Sequence, residues 1–372
     1  MKSILKFTKK GIIASLYFLA VFTSCKEELI KFEYKNPLIS LTFRDTHIVP
    51  DGDKYYAVGT CTPVWGGQNP GVKLYVSDNL VDWKFDRMLI DAYFLDSTVW
   101  YKDRFWAPEL RKIGNKYFLT FNCQNNGGGG YTDTEKQIHY HACGLAVADH
   151  ITGPYQVVTP DEPLTPFASN DMTLFQDDNG KVYCFFNNGW TDIHKIYVAE
   201  LDTINYKLKE YPVELIKQEA GWDEAGIEGS HVIKKDGIYY LLYSSWTKGY
   251  AVGYATATHI YGPWTKSPNN PLFGSFTLND TTYIVKNGKE IPAPDFHINA
   301  IGHNQIFIGP DGNYWTSYHG DLKGMDEAIS LIDPIEFKDG EIYTNTPTYT
   351  PQVITYTKSE RERNLRRNGL IK

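Results

Sequence analysis

The sequence EGSHVIKKDGIYYLLY at residues 228–243 contains the pattern that decides the fold. An apolar strand leads to a turn with Asp236 and Gly237, and an alternating aromatic strand follows. Aspartate and glycine tolerate the positive φ that a tight hairpin requires, so this segment predicts a β-hairpin. Related hairpin patterns lie at four other places in the chain, namely residues 45–59, 106–121, 171–186 and 303–318.

The five hairpins predict the architecture of the chain. Four of them are followed by a further strand pattern, which fits a blade of about four strands. We therefore expect an all-β fold, a five-bladed β-propeller, in one domain over residues 37–357. The intervals between the hairpins exceed the roughly 40 to 50 residues of common propeller repeats, so we also expect inserted loops, with residues 274–299 among the longest.

The first residues have the character of an export signal. Basic residues precede an apolar run at residues 12–22, which is shorter than the roughly 20 residues of a helix that crosses a bilayer. The sequence FTSCKEE that follows resembles a bacterial lipoprotein box, although Phe22 replaces the more usual leucine. We predict a signal peptide over residues 1–24, a lipid anchor on Cys25 and a tether over residues 25–36. The alternative is an ordinary secretory peptide.

Composition narrows the classes of function. The 27 tyrosines and nine tryptophans suit strands and a carbohydrate-binding cleft, and the net charge of −7 argues against a nucleic-acid-binding protein, which needs a basic face. Only the tail at residues 358–372 is basic, and we assign it no function. We expect an oligosaccharide or polysaccharide substrate, a monomer at the cell surface or in the periplasm, and membrane contact only through the lipid anchor.

Four cysteines remain after the leader: Cys61, Cys123, Cys143 and Cys184. An export compartment permits disulfides, and four cysteines allow three pairings, among which the sequence does not choose. Their spacing contains no CxxC or Cys/His cluster of the kind that binds zinc, so buried free thiols are the favoured expectation.

The register of the repeats singles out one position in each hairpin. Counting back ten to twelve residues from the first tyrosine after each turn reaches Asp45, Trp106, Asp171, Glu228 and His303. The first strand of a propeller blade lines the central channel, so we expect these side chains to converge at one mouth of the channel. Carboxylates gathered in a partly desolvated funnel have separated pKa values, which supplies one site with both an acid and a base.

The sequence resembles glycoside hydrolase family 43, a family of five-bladed propellers, over about residues 36–351. The motifs that carry the resemblance are FRDTHIV at residues 43–49, WAPEL at 106–110, SNDMTLF at 169–175, IEGSHVIKKDGIYYL at 227–241 and GHNQIF at 302–307. The resemblance implies that Asp45 is the general base, Asp171 the residue that orients and tunes the acid, and Glu228 the general acid. It also implies that His303 lies near a hydrated cation, such as a structural Ca²⁺ in the channel.

The chain departs from the family pattern at three places. Thr46 stands where the family usually has proline, and Asn170 where it has isoleucine. The arginine expected before the closing strand is missing from residues 326–335, DEAISLIDPI, which leaves the substrate preference open. The three carboxylates are all present.

These residues predict an inverting hydrolysis without an organic cofactor. Glu228 would protonate the departing oxygen, Asp45 would activate water, and Asp171 would stay ionised and raise the pKa of Glu228. An α-L-arabinofuranosidase is our leading prediction, with β-xylosidase and β-D-galactofuranosidase as alternatives. A propeller that only binds glycans needs none of these acids, and a phosphorylase would need a basic cluster near the motifs.

Aromatic and histidine side chains complete the predicted site. Tryptophans supply apolar walls against which a sugar ring packs, and histidines near the acids could contact substrate or brace the carboxylates. Ordinary core or structural roles are equally plausible for most of them, since only Trp106 has support from the repeat register. The candidates are Trp65, Trp106, Trp190, Trp246, His47 and His231.

Overall fold

The computed structural model describes residues 27–64, 68–124, 131–132, 138–139, 141–189 and 191–371. The predicted signal peptide, Cys25, Trp65 and Trp190 lie outside these residues. Apart from a single 3₁₀ turn at Ala92–Phe94 and the C-terminal helix α1 at Lys358–Arg367, the regular structure of the described residues consists of strands.

The strands in chain order are β1 Ile30–Tyr34, β2 Arg44–Asp51, β3 Lys54–Thr60, β4 Gly71–Ser77, β5 Lys84–Asp91, β6 Asp103–Ile113, β7 Lys116–Gln124, β8 Tyr131–Thr132, β9 Ile138–His139, β10 Ala142–Ala148, β11 Gln156–Val157, β12 Ser169–Gln176, β13 Val182–Asn188, β14 Lys195–Asp202, β15 Lys207–Leu208, β16 Val213–Lys217, β17 Glu228–Lys235, β18 Ile238–Ser245, β19 Tyr250–Ala257, β20 Thr265–Lys266, β21 Phe273–Leu278, β22 Thr281–Lys286, β23 Lys289–Pro292, β24 Ile298–Ile308, β25 Tyr314–Leu322, β26 Ala328–Lys338, β27 Glu341–Thr344 and β28 Gln352–Tyr356.

Each predicted hairpin forms the first two strands of an antiparallel sheet. The sheets run β2-β3-β4-β5, β6-β7-β10-β11, β12-β13-β14-β15, β17-β18-β19-β21-β22-β23 and β24-β25-β26-β27, with β16 and β20 added beside β14 and β19. The five first strands contact one another in a closed ring, from β2 through β6, β12, β17 and β24 back to β2. The all-β class and the propeller arrangement are confirmed.

The blades are less uniform than the repeats suggest. Four of the sheets follow the four-strand path of a regular blade, whereas the sheet headed by β17 contains seven strands. The prediction of five blades of about four strands each is therefore confirmed only in part, since the described residues contain four regular blades. The reason lies in residues 274–299, which we expected to be a loop. They contain most of β21 and all of β22 and β23, which extend the sheet beyond β19.

The core lies between neighbouring sheets, so most strands are buried on both faces. All seven residues of β10 and of β13 are buried, which replaces the usual alternation of apolar and polar residues. Small side chains in β10 allow this close packing. A Cβ atom on Gly144 would lie 2.7 Å from the ring of Phe121. Glycine is therefore required where these two strands meet.

The two ends of the propeller chain are joined by a strand pair and a buried carboxylate. Strand β1, which lies within the predicted tether, pairs with β28. Asp333 accepts hydrogen bonds from the Tyr34 hydroxyl at 2.9 Å, the Tyr318 hydroxyl at 2.7 Å and the Thr348 backbone amide at 3.0 Å. Residues 30–34 are thus part of the fold rather than a free linker.

Two further features of the described residues concern the cysteines and the possibility of a membrane-spanning helix. Cys61, Cys123, Cys143 and Cys184 are all buried, and all four are free thiols, as we expected. No helix among the described residues has the length and apolar character needed to span a membrane.

Removal of the Asp333 carboxylate should destabilise the fold. Asp333→Ala leaves several buried donors without a partner, and we expect it to lower the free energy of unfolding by about 3 kcal/mol, with about 1 kcal/mol for Tyr34→Phe. Thermal and urea unfolding followed by circular dichroism would measure both. Tyr343→Phe is the control, because Tyr343 is 53% exposed. An Asp333→Ala protein as stable as the parent would contradict this account of ring closure.

Candidate active site

A β-bulge interrupts each of the five inner strands near its first residues. One residue of each bulge has a positive φ, which re-aims the chain and the side chains beside it. These residues are Asp45 at 54°, Ala107 at 41°, Asp171 at 54°, Gly229 at 63° and His303 at 51°. The repeat in the sequence therefore corresponds to a repeated backbone distortion at one mouth of the channel.

The bulges correct the predicted register in two blades. Asp45, Asp171 and His303 occupy the positive-φ position, as the counting predicted. The equivalent residues of the other two strands are Ala107 and Gly229. Trp106 and Glu228 each precede this position by one residue. The count misses it because the number of residues between the positive-φ position and the first tyrosine after the turn differs from one hairpin to the next.

The backbone amide of each of these five positive-φ residues donates to a side chain of the preceding blade. The pairs are Asp45 to Nδ1 of His319 at 2.9 Å, Ala107 to Oγ1 of Thr60 at 2.7 Å, Asp171 to Oδ1 of Asn122 at 3.3 Å, Gly229 to Oδ2 of Asp171 at 3.1 Å, and His303 to Oγ of Ser244 at 2.9 Å. These bonds form a closed circuit around the mouth, which we call the bulge circuit. Through it, Asp171 holds the peptide directly after Glu228.

Asp45 lies in a strongly anion-stabilising environment. Its Oδ1 is 3.1 Å from Nδ1 of His303, and its Oδ2 accepts a hydrogen bond from Thr60 at 2.5 Å. Burial alone would raise the pKa of Asp45, but the charge and hydrogen bond of His303 hold it far below its usual range. Asp45 is therefore ionised at neutral pH, as a general base must be.

His303 supplies the positive charge at the centre of this mouth. Its Nδ1 is 4.0 Å from Oδ2 of Asp171 as well as 3.1 Å from Asp45. Burial lowers the pKa of His303, but the charges of Asp45 and Asp171 outweigh burial and raise the pKa to about 10. His319 differs, because burial and the nearby Arg44 keep its pKa well below the usual value. Its Nδ1 accepts the amide of Asp45.

Glu228 and Asp171 both lie in surroundings that raise the pKa of a carboxyl group. Burial raises the pKa of Glu228, and a hydrogen bond from the Tyr250 hydroxyl at 2.6 Å opposes part of that rise. Burial, together with the charges of Glu228 and Asp45, raises the pKa of Asp171 to about 8. We expected Asp171 to stay ionised, but it shares this tendency to hold a proton with Glu228. The mouth thus contains one ionised carboxylate, Asp45, and a neighbouring pair of carboxyl groups, Glu228 and Asp171, whose pKa values are both raised.

Sequence reasoning missed Tyr250, the hydrogen-bond donor to Glu228. Tyr250 begins β19 and lies in none of the repeated hairpins, so counting could not find it. Its ring packs against Gly302, where a Cβ atom would lie 2.4 Å from the ring. The glycine of the GHNQIF segment was the only sequence signal, because it makes room for this tyrosine.

Two of the predicted substrate-binding tryptophans lie on neighbouring loops and strands of the same face. Trp106 is 8% exposed, contacts the ring of His141 at 4.2 Å and donates to the carbonyl of Val64 at 3.2 Å. Trp246 is half-buried, with its ring 4.9 Å from that of His194. Both side chains are held in place by ring contacts.

His47 and His231 do not reach the mouth. They lie two residues beyond the positive-φ positions, are 1% exposed, and accept backbone amides from Leu110 at 2.8 Å and Ile306 at 3.2 Å. Burial keeps the pKa of both histidines well below the usual value. The structure therefore places them inside the channel as neutral hydrogen-bond acceptors rather than beside a substrate.

A second group of polar residues fills the channel below the mouth. Glu109 accepts a hydrogen bond from Thr173 at 2.6 Å and also contacts Gln305. Burial raises the pKa of Glu109. Arg111 lies between Glu109 and His231, with Nη2 3.1 Å from the ring nitrogens of the histidine. The repeat register predicted none of these contacts.

Among the described residues, one group has the composition of a cation site. Ligand atoms of Asp171, Glu228 and His303 all lie within 4.8 Å of one another. The two carboxylates suit Ca²⁺, which prefers oxygen ligands. Since Nδ1 of His303 faces Asp45, the imidazole fits such an ion only through water or as a minor ligand.

Comparisons with known proteins agree with this geometry. The family model of glycosyl hydrolases family 43 matches residues 34–342. A xylan 1,3-β-xylosidase of a Vibrio species is 28% identical over 65% of this chain and 44% of its own. A β-D-galactofuranosidase of Aspergillus niger is 31% identical over 64% of each chain. A xylosidase/arabinosidase of Humicola insolens is 26% identical over 75% of this chain and 48% of its own.

One solved structure shares this fold along almost the whole of its own chain. The crystal structure of a thermostable family-43 glycoside hydrolase has a TM-score of 0.68 and 28% identity, covering 86% of this chain and 98% of that one. The chain spans about half the length of the first two curated relatives. The match of the family model from the first strand of the fold to β27 shows that the chain belongs to glycosyl hydrolase family 43.

Proposed function

We propose that this chain is an inverting glycoside hydrolase that releases terminal sugars from plant-type or microbial polysaccharides. The observation that carries the proposal is the separation of protonation states at one mouth: Asp45 is ionised, while burial raises the pKa of Glu228. Hydrolysis of a glycoside with inversion needs one carboxylate as base and one carboxylic acid as proton donor. The bulge circuit brings both to the same face.

Each residue of the site has a separate task in this mechanism. Glu228 donates its proton to the glycosidic oxygen as the bond to the anomeric carbon breaks. Asp45 accepts a proton from water, whose oxygen forms the new bond from the opposite face. Asp171 positions the acid through the amide of Gly229, and Tyr250 fixes the carboxyl of Glu228. His303 balances the charge of Asp45 without taking part in the proton transfers.

We propose α-L-arabinofuranosides as the first substrate class, with β-xylosides and β-D-galactofuranosides as alternatives. The relatives support all three classes, because their names include xylosidase, arabinosidase and β-D-galactofuranosidase. A panel of nitrophenyl glycosides separates them. A glycan-binding propeller without activity is the alternative from another class, and the retained acid and base argue against it.

Further proposals concern the architecture and the location. The seven-stranded sheet headed by β17 would act as the fifth blade, because its first three strands follow the regular path and its first strand closes the inner ring. We also propose an exported monomer, anchored by a lipid on Cys25 in the periplasm or at the cell surface. The leader sequence supports this location.

The proposed cation can be tested separately from catalysis. Ca²⁺ would lie near His303, held through carboxylate oxygens and water, and would neutralise part of the acidic mouth. We expect elemental analysis of the purified protein to find about one calcium per chain. We also expect a chelator to lower the thermal midpoint. Protein without metal, with unchanged stability in chelator, would leave the positive charges of His303 and Arg44 as the counter-ions of this mouth.

Loss of the base and loss of the acid should have different kinetic consequences. Asp45→Ala and Glu228→Ala should each lower kcat by roughly 10² to 10⁴-fold on a natural linkage. Glu228→Ala should recover much of its rate on substrates whose leaving group needs no proton, whereas Asp45→Ala should not. Asp178→Ala is the control, since its side chain is 83% exposed at the far end of β12. Near-parental rates for both site variants would favour the glycan-binding alternative.

The pH profile should respond in opposite directions to two substitutions. Asp171→Asn keeps an acceptor for the amide of Gly229 but removes the carboxyl group whose ionisation opposes that of Glu228, so the pKa of Glu228 falls and the alkaline limb of kcat moves to lower pH. Tyr250→Phe removes a hydrogen bond that lowers the pKa of Glu228, so this limb moves to higher pH. Rate measurements across pH test both, with Tyr243→Phe as a buried control. Shifts of the same sign would exclude this assignment of the acid.

A further inference from the structure

Helix α1 carries a positive charge that contrasts with the rest of the chain. Its ten residues include five basic and two acidic side chains, whereas the whole chain has a net charge of −7. Thr357 and Glu360 form a capping box that fixes its first turn. Arg363 and Arg366 point outward, with side chains 67% and 51% exposed. The basic tail is therefore an ordered helix rather than a frayed end.

The helix is fixed to the face of the propeller opposite the catalytic mouth. Arg361 donates to the carbonyl of Pro310 at 3.0 Å, and Asn364 donates to the carbonyl of Asp311 at 2.9 Å. These acceptors lie in the turn after β24, whereas His303 lies in the middle of that strand, at its bulge. At about 3.3 Å per residue, the helix is about 20 Å from the catalytic mouth.

The N-terminal end of the described chain contacts the same helix. Glu27 accepts the backbone amide of Ser359 at 2.7 Å. In the sequence, Cys25 precedes Glu27 by only two residues. Leu29, two residues after Glu27, is 62% exposed, and Leu370 and Ile371, just after the end of the helix, are 45% and 39% exposed.

We propose that the outward face of α1 binds an anionic lipid surface and thereby sets the orientation of the propeller. Three features support a bilayer as the partner: basic side chains attract anionic headgroups, exposed leucine and isoleucine suit the interface, and the predicted acyl anchor on Cys25 is only two residues before Glu27 in the sequence. The proposed position of the membrane rests on the anchor at Cys25. In this orientation the catalytic mouth faces away from the bilayer, where a large polysaccharide can reach it.

Vesicle binding without the acyl anchor tests the helix by itself. The full chain carrying Cys25→Ala would be mixed with vesicles of phosphatidylcholine, with or without about one third phosphatidylglycerol, and sedimented. We expect stronger binding to the anionic vesicles and its loss at high salt. Arg363→Glu with Arg366→Glu should weaken this binding by at least about tenfold, since each basic residue near a membrane contributes about fivefold.

A matched pair of substitutions controls for total charge. Lys217→Glu with Lys323→Glu changes the net charge equally at exposed positions on the mouth side of two blades, and it should leave binding within about twofold of the parent. Hydrolysis of a soluble substrate should be the same in all variants, which shows that they are folded. Equal binding to neutral and anionic vesicles would overturn the proposal. An equal loss in both pairs of variants would overturn it as well.

Discussion

The bulge circuit is the constraint on which the rest of the active site depends. Asp45, Asp171 and His303 come from three different inner strands, and each occupies the positive-φ position of a bulge. The bulge releases one amide from each inner strand, and a side chain of the preceding blade accepts it. The catalytic face is thus built by contacts between blades, and Asp171 belongs to the circuit as well as to the site.

The electrostatic surroundings then give Asp45 and Glu228, which are both carboxyl groups, different protonation behaviour. Asp45 and Glu228 are both withdrawn from solvent, yet only Asp45 lies directly against the imidazolium of His303. Glu228 instead accepts a neutral hydroxyl from Tyr250, so burial dominates its pKa. Protonated His303 keeps one acid ionised, while the shared environment of Glu228 and Asp171 retains a proton.

The sequence predicted the propeller and most of the site, because hairpin patterns and turn chemistry are local. Asp45, Asp171 and His303 were found by register, but counting residues could not detect the one-residue offset of Glu228, because the number of residues before the turn varies between hairpins. Tyr250 escaped prediction because its contact joins two segments without a shared motif. Strands β21 to β23 were expected as a loop, since their pairing depends on an edge that only the folded sheet provides.

The central claim is that Asp45 activates water while Glu228 protonates the departing oxygen in a single displacement. The most direct measurement is the anomeric configuration of the first product, followed by proton NMR from the moment the enzyme is added to the substrate that it cleaves best. The account predicts that the first-formed sugar has the configuration opposite to that of the substrate and then mutarotates. A first product with the substrate's own configuration would contradict it, because retention requires a carboxylate that attacks the sugar directly.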